Sequence, residues 1–384
     1  MIISHIKLKN WRNFHKVEIE LGDRVFIVGP NASGKSNFLD VFRFLRDVAK
    51  SGGGLQKAIE DRGGLSKVRC LAARKDPAVE IEIHLAESRG QKAQWKYALS
   101  IIQQSSGYRR TLIEHERVYR NGELILDRPD PDDKVDELRL TQTSLQQVNA
   151  NVAFRDIVSF LESTLYRHLI PQLLRYPKAF MGTDASEDPF GRKFLDRLAK
   201  TPEKTRFARL KKIEGALKIA VPQLTQLEYI ADKLEGGIPH LEVRYTHWRL
   251  RGARQREDQF SDGTLRLIGL LWSIMESDSL LLLEEPELSL HAAIVEKLPQ
   301  LIHRLTRKKK RQIMLSTHSA DLLSDGGIAP EEVLLLQPEN EGTLVKPASD
   351  IAEIRALLEG GMSVGEAVLP RAAPPGIEQL GLFE

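Results

Sequence analysis

Alternating apolar and polar positions at the start of the chain predict β-strands. Residues 17–21 (VEIEL) alternate strictly, and residues 2–8 place apolar side chains among polar ones. A period of two residues is typical of a strand that is buried on one face. The run RVFIV at 24–28 is apolar after its first residue and predicts a fully buried strand that ends at Gly29.

The pattern changes to helical spacing after the glycine-containing stretch GPNASGKS at 29–36. The apolar positions then recur at intervals of three and four residues: Phe38, Val41, Phe42, Leu45 and Ala49. This spacing predicts an amphipathic helix, and SGGG at 51–54 is a typical helix stop.

Residues 79–127 predict an antiparallel meander. The segments VEIEIHL, WKYALSII and ELIL alternate or run apolar, and turn residues separate them. The acidic, proline-containing stretch RPDPDDKVDE at 128–137 predicts a solvated loop.

The second half of the chain first becomes helical and then returns to an α/β pattern. Helical spacing dominates 151–232, with repeated prolines and no sustained heptads. After residue 240 the pattern predicts alternating strands and helices: HLEVRY, the capped helix SDGTLRLIGLLWSIM, the strand SLLLLEEPE, the helix LHAAIVEKLPQLIHRL broken or kinked near Pro299, and the strands RQIMLSTHS and EEVLLLQ.

The composition is that of a globular protein with a sizeable core. Of the 384 residues, 41% are apolar and 28% charged, and the net charge of +3 does not mark a dedicated nucleic-acid binder. Cys70 is the single cysteine, so neither an intrachain disulfide nor a cysteine-based zinc site is expected. The chain shows no signal-peptide pattern and no apolar stretch long enough to span a bilayer, so we expect a cytoplasmic protein without a membrane contact.

The stretch Gly29–Ser36 fits the phosphate-binding pattern G-x-x-x-x-G-K-[ST]. Glycines let successive backbone N–H groups point at phosphate oxygens, Lys35 would reach the β- and γ-phosphates, and Ser36 would ligate Mg²⁺. A chance glycine-rich turn would rarely have both a buried strand before it and an amphipathic helix after it. The sequence therefore predicts an ATP site with Mg²⁺.

Acidic and polar residues follow two later predicted strands. Glu284 would hold Mg²⁺ through water, and Glu285 would orient the attacking water. His318, at the end of the next strand, would hydrogen-bond the γ-phosphate. Ser261 is a helix cap beside Gly263, which gives a second anion-binding helix start. One triphosphate rarely needs two such starts, so we expect this one to act across a homodimer.

Taken together and in this order, GPNASGKSN, FSDGTLR, LLLLEEPELSLH and STHS resemble the ABC-type ATPases of the SMC, RecF and OLD kind. Among these, the chain is most similar to the small AAA-family ATPases of the AbiEii type. The resemblance covers about 1–50 and 240–340. It implies an α/β P-loop NTPase fold of the ABC-ATPase type, with a mixed or parallel central sheet, an N-terminal antiparallel meander and a mainly helical insertion.

The resemblance also assigns roles to individual positions. Ser261 and Gly263 match the signature loop, Ser289 and His291 fall in the D-loop stretch, and Arg12 in NWRNF would contact the phosphates. The predicted catalytic residues are Lys35, Glu285 and His318, and the predicted metal ligands are Ser36 and Glu284. The predicted nucleotide-binding residues are Arg12, Gly29, Asn31, Ala32, Ser33, Gly34, Lys35, Ser36, Asn37, Ser261, Asp262 and Gly263.

Two departures from the family pattern stand out. Glu284 occupies a position where aspartate is commoner. No glutamine has the context of the family's Q-loop glutamine. Gln56 is a poor candidate, and the stretch 61–69 (DRGGLSKVR) lies at roughly the expected place.

The predicted domain scheme follows from these assignments. It comprises an ATPase core of 1–50 plus 240–345, a β-rich arm of 51–130, a mainly helical insertion of 131–239, and a C-terminal helix with a flexible tail in 346–384.

Three uses of ATP remain open. The first is regulation of a partner effector protein in anti-phage defence or a toxin–antitoxin-like system, which EEPELSLH favours. The second is a RecF- or SMC-like DNA-repair role; an SMC-like protein needs long heptads, which the sequence lacks, whereas the chain length agrees with a RecF-like one. The third is an OLD-type nuclease, which is not expected because the 66 residues after His318 contain no acidic metal cluster. Nucleic acid remains a candidate partner in each case, because 249–256 and 304–311 are rich in basic residues.

Overall fold

The computed structural model describes seven stretches of the chain. They are 1–74, 76–105, 107–177, 188–232, 237–246, 253–307 and 310–373. The predicted flexible tail beyond residue 373 lies outside the described residues, as does the first half of the first basic run, at 249–252.

The described residues form fifteen strands and fourteen α-helices. The strands are β1 Ile2–Trp11, β2 Phe14–Glu20, β3 Arg24–Val28, β4 Val79–Ala86, β5 Trp95–Gln103, β6 Thr111–Arg120, β7 Glu123–Arg128, β8 Leu165–Arg167, β9 Leu224–Asp232, β10 Ile238–Tyr245, β11 Ala253–Arg256, β12 Leu281–Glu284, β13 Ile313–Thr317, β14 Val333–Glu339 and β15 Gly342–Pro347. The helices are α1 Lys35–Ala49, α2 Leu55–Glu60, α3 Leu65–Val68, α4 Pro131–Val135, α5 Arg155–Glu162, α6 Pro171–Arg175, α7 Phe194–Lys200, α8 Glu203–Ala220, α9 Asp262–Glu276, α10 Ala292–Val295, α11 Leu298–Thr306, α12 Ala320–Leu323, α13 Ala352–Glu359 and α14 Val364–Ala372.

These elements fall into two compact units. Unit 1 comprises Met1–Leu165, Ser279–Leu282 and the described part of Lys310–Glu384, and unit 2 comprises Tyr166–Asp278 and the described part of Leu283–Lys309. The domain scheme from the sequence divides the chain at other positions and stays a prediction.

Unit 1 contains the predicted meander as a six-stranded antiparallel sheet with the order β2-β1-β4-β5-β6-β7. The strand next to the β2 edge, β1, pairs Ile6 with Ile19 of β2 on one side and with Ile83 of β4 on the other. All three isoleucines are buried, while residues between them on the strands are partly or fully exposed. The alternation in the sequence therefore identified the buried face correctly.

The second sheet surrounds β3 and has the order β15-β14-β3-β13-β12-β8. β3 runs parallel to both β13 and β14, and β14 forms a hairpin with β15. Residues 25–28 of β3 are all buried, as expected for a parallel strand that is covered on both faces. β8 and β12 each begin in unit 1, at Leu165 and Leu281, and their last residues belong to unit 2.

Unit 2 contains a buried helix and a small sheet. Residues 264–275 of α9 are all buried, and α6, α8 and α11 pack against this helix. The three-stranded antiparallel sheet has the order β11-β10-β9. The predicted break near Pro299 is confirmed, because α10 ends at Val295 and α11 begins at Leu298.

The prediction of a solvated stretch at 128–137 holds for most positions, which are exposed, but it missed the short helix α4 and a buried carboxylate. Asp130 caps α4, Pro131 occupies its first position, and Asp133 is fully buried. Arg128 Nη2 donates to Asp133 Oδ1 at 2.8 Å, and its Nη1 donates to the buried Glu116 Oε2 at 3.2 Å. Acidic residues are buried here because an arginine neutralises them, and that partnership is not visible in the local sequence.

Among the helices of the described stretches, none is both long enough and apolar enough to cross a membrane.

Candidate nucleotide site

The glycine-rich loop of unit 1 connects β3 to the 15-residue helix α1. Gly34 precedes the helix with a left-handed φ of 99°, and Ala32 also has a positive φ of 62°. Gly34 has no side chain to cap the helix, and no acidic residue lies in the first turn. The first backbone N–H groups of a helix lack intrahelical acceptors, so this helix start suits an anion.

Two glycines of the loop stand where no side chain fits. A Cβ on Gly29 would lie 2.6 Å from the carbonyl oxygen of Leu336, and a Cβ on Gly34 would lie 2.1 Å from Asn13 Nδ2. The backbone of the loop therefore approaches its neighbours so closely that only glycine is tolerated at both positions.

Lys35 lies within the loop. Its Nζ donates to the carbonyl oxygens of Gly29 at 2.9 Å and Pro30 at 3.0 Å. Ser33 Oγ is buried and has no hydrogen-bond partner among the described residues. Ser36, Asn31 and Ala32 are exposed. An ammonium group and exposed hydroxyl and amide side chains are groups that bind a triphosphate, so these residues fit the nucleotide that the pattern predicts.

The NWRNF segment holds the loop in place through residues that the sequence analysis did not single out. Asn13 Nδ2 donates to the carbonyl oxygen of Ser33 at 2.8 Å and to Thr343 Oγ1 at 2.7 Å. Asn37 Nδ2 donates to Asn13 Oδ1 at 2.8 Å, and Trp11 Nε1 donates to the carbonyl oxygen of Asn37 at 2.9 Å. Asn13 lies next to the predicted phosphate contact Arg12 in the sequence, whereas Thr343 is 330 positions from Asn13 and no local pattern indicates it.

Arg12 contacts a carboxylate in this structure. Its Nη2 donates to Asp40 Oδ2 at 2.9 Å, and Arg62 makes a two-point contact with the same carboxylate at 3.0 and 2.9 Å. Burial alone would raise the pKa of Asp40, but Arg62, Arg43 and Arg12 lower it below its ordinary value. The phosphate contact of Arg12 stays a prediction, and Asp40 is the partner that a phosphate would have to replace.

Arg62 belongs to the stretch 61–69 that lies near the expected Q-loop. It also donates to Asp47 Oδ2 at 3.0 Å, so it joins this stretch to two carboxylates of α1. Gln56 has a structural role instead, because its Nε2 donates to the carbonyl oxygens of Thr111 and Thr141.

His318 follows β13, the parallel neighbour of β3. Thr317 pairs with Val28, so both strands end at the same edge of the sheet, with His318 after one and Gly29 after the other. His318 is exposed, and Ser319 caps the helix that follows. Unit 1 therefore brings the P-loop and the predicted switch histidine to one edge.

Unit 2 holds the acidic pair at the end of β12. Tyr166 Oη donates a short hydrogen bond to Glu284 Oε2, which fixes the predicted metal ligand. Glu285 has a positive φ of 44°, and its carbonyl oxygen accepts from Arg266 Nη1 at 3.2 Å. Burial lowers the pKa of Arg266, while the carboxylates of Glu287, Glu285 and Asp262 oppose this. A left-handed backbone at a residue other than glycine is uncommon and concentrates at functional sites.

The predicted signature loop lies at the start of α9. Ser261 Oγ accepts from the backbone N–H of Thr264 at 3.2 Å, so the predicted cap is confirmed. Asp262 Oδ1 accepts from Arg175 Nη2 at 2.6 Å and its Oδ2 from Gln172 Nε2 at 3.0 Å. These contacts fix the side chain of Asp262, and its predicted place among the nucleotide-binding residues stays a prediction.

Gly263 touches the predicted D-loop. A Cβ at this position would lie 2.7 Å from the carbonyl oxygen of Ser289, which itself has a positive φ of 63°. His291 caps α10 through Nδ1, which accepts from the N–H of Ala293 at 3.2 Å. Tyr166 and Arg175, which hold the acidic end of β12 and the signature loop, gave no local signal in the sequence.

Comparison with known proteins supports this assignment. A family model described as "AAA domain, putative AbiEii toxin, Type IV TA system" matches residues 24–325. The chain is similar to Endonuclease GajA of Bacillus cereus (strain VD045), with 51% identity over 47 residues, and to the DNA replication and repair protein RecF of Bacillus thuringiensis (strain Al Hakam), with 46% identity over 52 residues. These alignments cover 12% and 13% of the chain but only 8% and 14% of the two relatives.

The fold has a counterpart among solved structures. An SMC head bound to the C-winged helix domain of ScpA aligns with a TM-score of 0.53 and 16% sequence identity, and the alignment covers 90% of this chain and 97% of that one. At this identity the likeness concerns the fold, which is that of a P-loop NTPase. The chain therefore belongs to the family described as AAA domain, putative AbiEii toxin, Type IV TA system, and its P-loop NTPase fold is similar to that of an SMC head.

Proposed function

We propose that the protein is an ATP-hydrolysing switch in which two copies close head to tail around two ATP molecules and reopen after hydrolysis. The main support is the start of α1, where a left-handed glycine, an uncapped helix and a buried lysine form an anion cradle. The matched family, whose model extends over residues 24–325, agrees with this use of the cradle.

The residues of unit 1 would bind and orient the triphosphate. The N–H groups of 31–36 and the dipole of α1 would hold its oxygens, and Lys35 would leave the loop carbonyls for the β- and γ-phosphates. Ser36 and Glu284 would hold Mg²⁺, which supplies positive charge against the phosphates when bound. Arg12 would exchange Asp40 for a phosphate oxygen.

The residues around Glu285 and His318 would perform the hydrolytic step. Glu285 would take up a proton from the attacking water and orient that water in line with the γ-phosphate. His318 would donate a hydrogen bond to the γ-phosphate and report its presence. Tyr166 would keep the Glu284 carboxylate in one orientation through the hydrogen bond already present.

The signature loop would act on the nucleotide of the second copy. Ser261 and Gly263 stand at the start of α9, which is a second helix start suited to an anion. A single triphosphate rarely needs two such starts, so a symmetric pair with two shared sites accounts for both of them.

ATP hydrolysis by purified protein tests the chemical part of this proposal. We expect Mg²⁺-dependent hydrolysis that falls about 10²- to 10⁴-fold in Glu285→Gln while ATP binding persists, because general-base assistance is lost and the cradle is intact. Lys35→Ala should lose ATP binding itself. Glu296→Gln, in the same unit, serves as the matched control and should resemble the wild type. Equal activity of Glu285→Gln and the wild type would refute the role of Glu285.

Mixing two inactive variants tests the head-to-tail arrangement. Lys35→Ala damages the cradle and Gly263→Ala the signature loop, so a mixed pair retains one intact site if the site is shared between copies. A 1:1 mixture should then recover about a quarter of the wild-type rate, because half of the pairs are mixed and each has one good site. A mixture no more active than its two components would show that the two loops do not act across copies.

The switch would regulate a partner effector protein in anti-phage defence or a toxin–antitoxin-like system. The name of the matched family and the short match to GajA support this role. The test is co-purification of the Glu285→Gln protein with the products of neighbouring genes, with and without ATP. A partner retained only with ATP supports the proposal, and retention independent of nucleotide contradicts it.

A DNA-repair role is the second candidate, and the 52-residue match to RecF favours it. Double-stranded DNA should then stimulate ATP hydrolysis, and added salt should weaken the effect steeply because phosphate contacts release counterions. The same incubation, analysed for strand cleavage, tests a nuclease of the OLD kind.

A further inference from the structure

A cluster of two histidines and a glutamate lies on the first sheet, among residues that the nucleotide site does not use. One ring nitrogen of His5, one of His84 and a carboxylate oxygen of Glu82 all lie within 4.8 Å of one another. The ring centroids of His5 and His84 are 4.5 Å apart. From this geometry we propose that His5, Glu82 and His84 form a binding site for a divalent transition-metal ion of the Zn²⁺ type.

The strand register places the three side chains on one face. His5 on β1 pairs directly with His84 on the antiparallel strand β4, and Glu82 precedes His84 by two positions. Directly opposite residues have Cβ atoms about 4.5–5.5 Å apart, and residues two apart on a strand point to the same side. The backbone therefore fixes a three-ligand arrangement, and only side-chain rotations are needed to close it. Ligand atoms at about 2.0–2.1 Å from one tetrahedral ion stand ~3.3 Å from each other.

The donor chemistry suits a borderline-soft ion. Imidazole nitrogens and a carboxylate oxygen bind Zn²⁺ and related ions, whereas Mg²⁺ and Ca²⁺ prefer oxygen ligands alone. Glu82 Oε1 already lies 2.9 Å from His84 Nε2, so two of the three donor groups are close together. Burial and the neighbouring His84 lower the pKa of His5, while Glu18, Glu82 and Glu20 oppose this.

One ligand of the cluster is not satisfied by the protein itself. His5 Nδ1 is buried and has no hydrogen-bond partner in the described part of the chain. A buried ring nitrogen without a partner costs free energy, and coordination to an ion would be one way to relieve that cost. Glu18 Oε1 lies 3.8 Å from His5 Nε2, which places another carboxylate beside the cluster.

The cluster is accessible from solvent. His5 lines a cleft of about 820 Å³, whose wall also contains Glu18, Glu20 and Arg89. Water or one of these carboxylates would provide the fourth ligand that a tetrahedral ion needs. Lys96 Nζ holds the second oxygen of Glu82 at 3.0 Å, so the expected binding mode of Glu82 is through one oxygen only.

Bound metal would join β1 to β4. Such an ion stabilises the folded state because it binds the folded chain in preference to the unfolded one. The consequence is a rise in the melting temperature that Zn²⁺ produces and Mg²⁺ does not.

The test uses tag-free, full-length, nucleotide-free protein that has been stripped with a chelator. Co²⁺ is titrated and followed by its visible d–d absorption, and Zn²⁺ is titrated by calorimetry. We expect one ion per chain, with affinity reduced at least tenfold in His5→Gln and in His84→Gln, and reduced in Glu82→Gln. His115→Gln, on β6 of the same sheet, is the matched control and should bind as the wild type does.

Circular dichroism and metal-free melting curves establish that each variant is folded. Wild-type protein that takes up no Co²⁺ would overturn the proposal, as would His5→Gln and His84→Gln proteins that bind it with wild-type affinity. In the latter case the cluster is a hydrogen-bonded His–Glu pair beside a second histidine, and the bound ion lies elsewhere. None of these outcomes depends on ATP hydrolysis.

Discussion

Helices α1 of unit 1 and α9 of unit 2 have the same length and begin at predicted nucleotide loops, but they begin differently. α1 starts after Gly34, which is left-handed and cannot cap it, whereas α9 starts after Ser261, whose hydroxyl accepts from the backbone N–H of Thr264. The start of α1 therefore has no side-chain cap at Gly34, whereas the start of α9 is capped by the hydroxyl of Ser261.

The contacts that hold the two loops before these helices also differ. Side-chain amides of Asn13 and Asn37 brace the P-loop, whereas the signature loop is fixed by the close approach of Gly263 to the backbone of Ser289 and by Arg175 on Asp262. The P-loop is thus held by side-chain amides at an uncapped helix start, and the signature loop by a backbone approach and an ion pair at a capped one.

Both helices also carry a carboxylate between arginines, and removing these carboxylates should have the largest effect. Asp40 of α1 has a side chain that is 10% exposed, and Glu276 of α9, paired with Arg167 and Arg197, is 19% exposed. We expect Asp40→Asn to lower the free energy of unfolding by roughly 3 kcal/mol and Glu276→Gln by about 2 kcal/mol, because buried arginines lose their partner. Urea denaturation measures both free energies of unfolding. An Asp40→Asn protein as stable as the wild type would contradict this explanation.

The Asp40 effect should depend on pH in a definite direction. Its pKa is lower in the folded state than its ordinary value, so the ionised group stabilises the fold above that value, about 3.9. The stability difference between wild type and Asp40→Asn should be constant near neutral pH and shrink as the pH falls below about 4. Urea midpoints of both proteins, measured from about pH 3 to pH 7, test the direction of this change, because this range includes the ordinary pKa of an aspartate.

Alanine substitutions at Gly34 and Gly263 should affect ATP affinity and ATP hydrolysis differently. Gly34→Ala must accept a left-handed alanine and displace Asn13, so we expect ATP affinity to fall roughly 100-fold, or about 2.7 kcal/mol. Gly263→Ala should leave ATP binding within about twofold and lower hydrolysis. Fluorescent-nucleotide titration and a phosphate-release assay measure the two quantities.

Matched glycines control this experiment. Gly52 has a positive φ of 72° but no atom within 4 Å of an added Cβ, so Gly52→Ala isolates backbone strain from steric conflict. Gly215 of α8 also has open space and controls for Gly263. If Gly52→Ala weakens ATP binding as much as Gly34→Ala does, the proposed fit of the loop is wrong.

Loss of the Asn13 amide should have an intermediate effect. Asn13→Ala removes the hydrogen bonds to Ser33 and Thr343, and we expect about tenfold weaker ATP binding, or about 1.4 kcal/mol, because the loop is less well held. Asn151→Ala is the control, since this buried asparagine donates to the carbonyl oxygen of Leu145 away from the loop. Calorimetric titration with ATP·Mg²⁺ distinguishes the two variants, and equal affinities would exclude the bracing role.

Loss of the ion pair between Arg175 and Asp262 should have the smallest effect on ATP hydrolysis. We expect Arg175→Ala to lower ATP hydrolysis a few-fold, about 1 kcal/mol, at unchanged ATP affinity. Asp262→Asn should act alike, and the double variant should be no worse than either single one, because both remove the same interaction. Fully additive losses in the steady-state rate would show that the two residues act separately.

Local patterns predicted the elements of the site well. The strand before Gly29, the helix after it, the cap at Ser261 and the break near Pro299 all depend on residues close together in the chain. The same local view missed the burial of Asp133 within 128–137, because that carboxylate is paired with Arg128 at the end of β7.

Partners distant in sequence explain the remaining omissions. Asn13 meets Thr343 across 330 positions, Tyr166 meets Glu284 across 118, and Arg175 meets Asp262 across 87. No hydrophobic period and no motif predicts these pairs, because neither residue of a pair belongs to a recognisable local pattern.

The sequence by itself determined that this chain has a phosphate-binding loop between a buried strand and a helix, because glycine conformational freedom and hydrophobic period are properties of adjacent residues. Only the tertiary structure decided which side chains hold that loop, which carboxylates are buried beside arginines, and that His5 stands opposite His84. Those outcomes depend on strand register and on the meeting of distant segments, which the free energy of the whole fold selects.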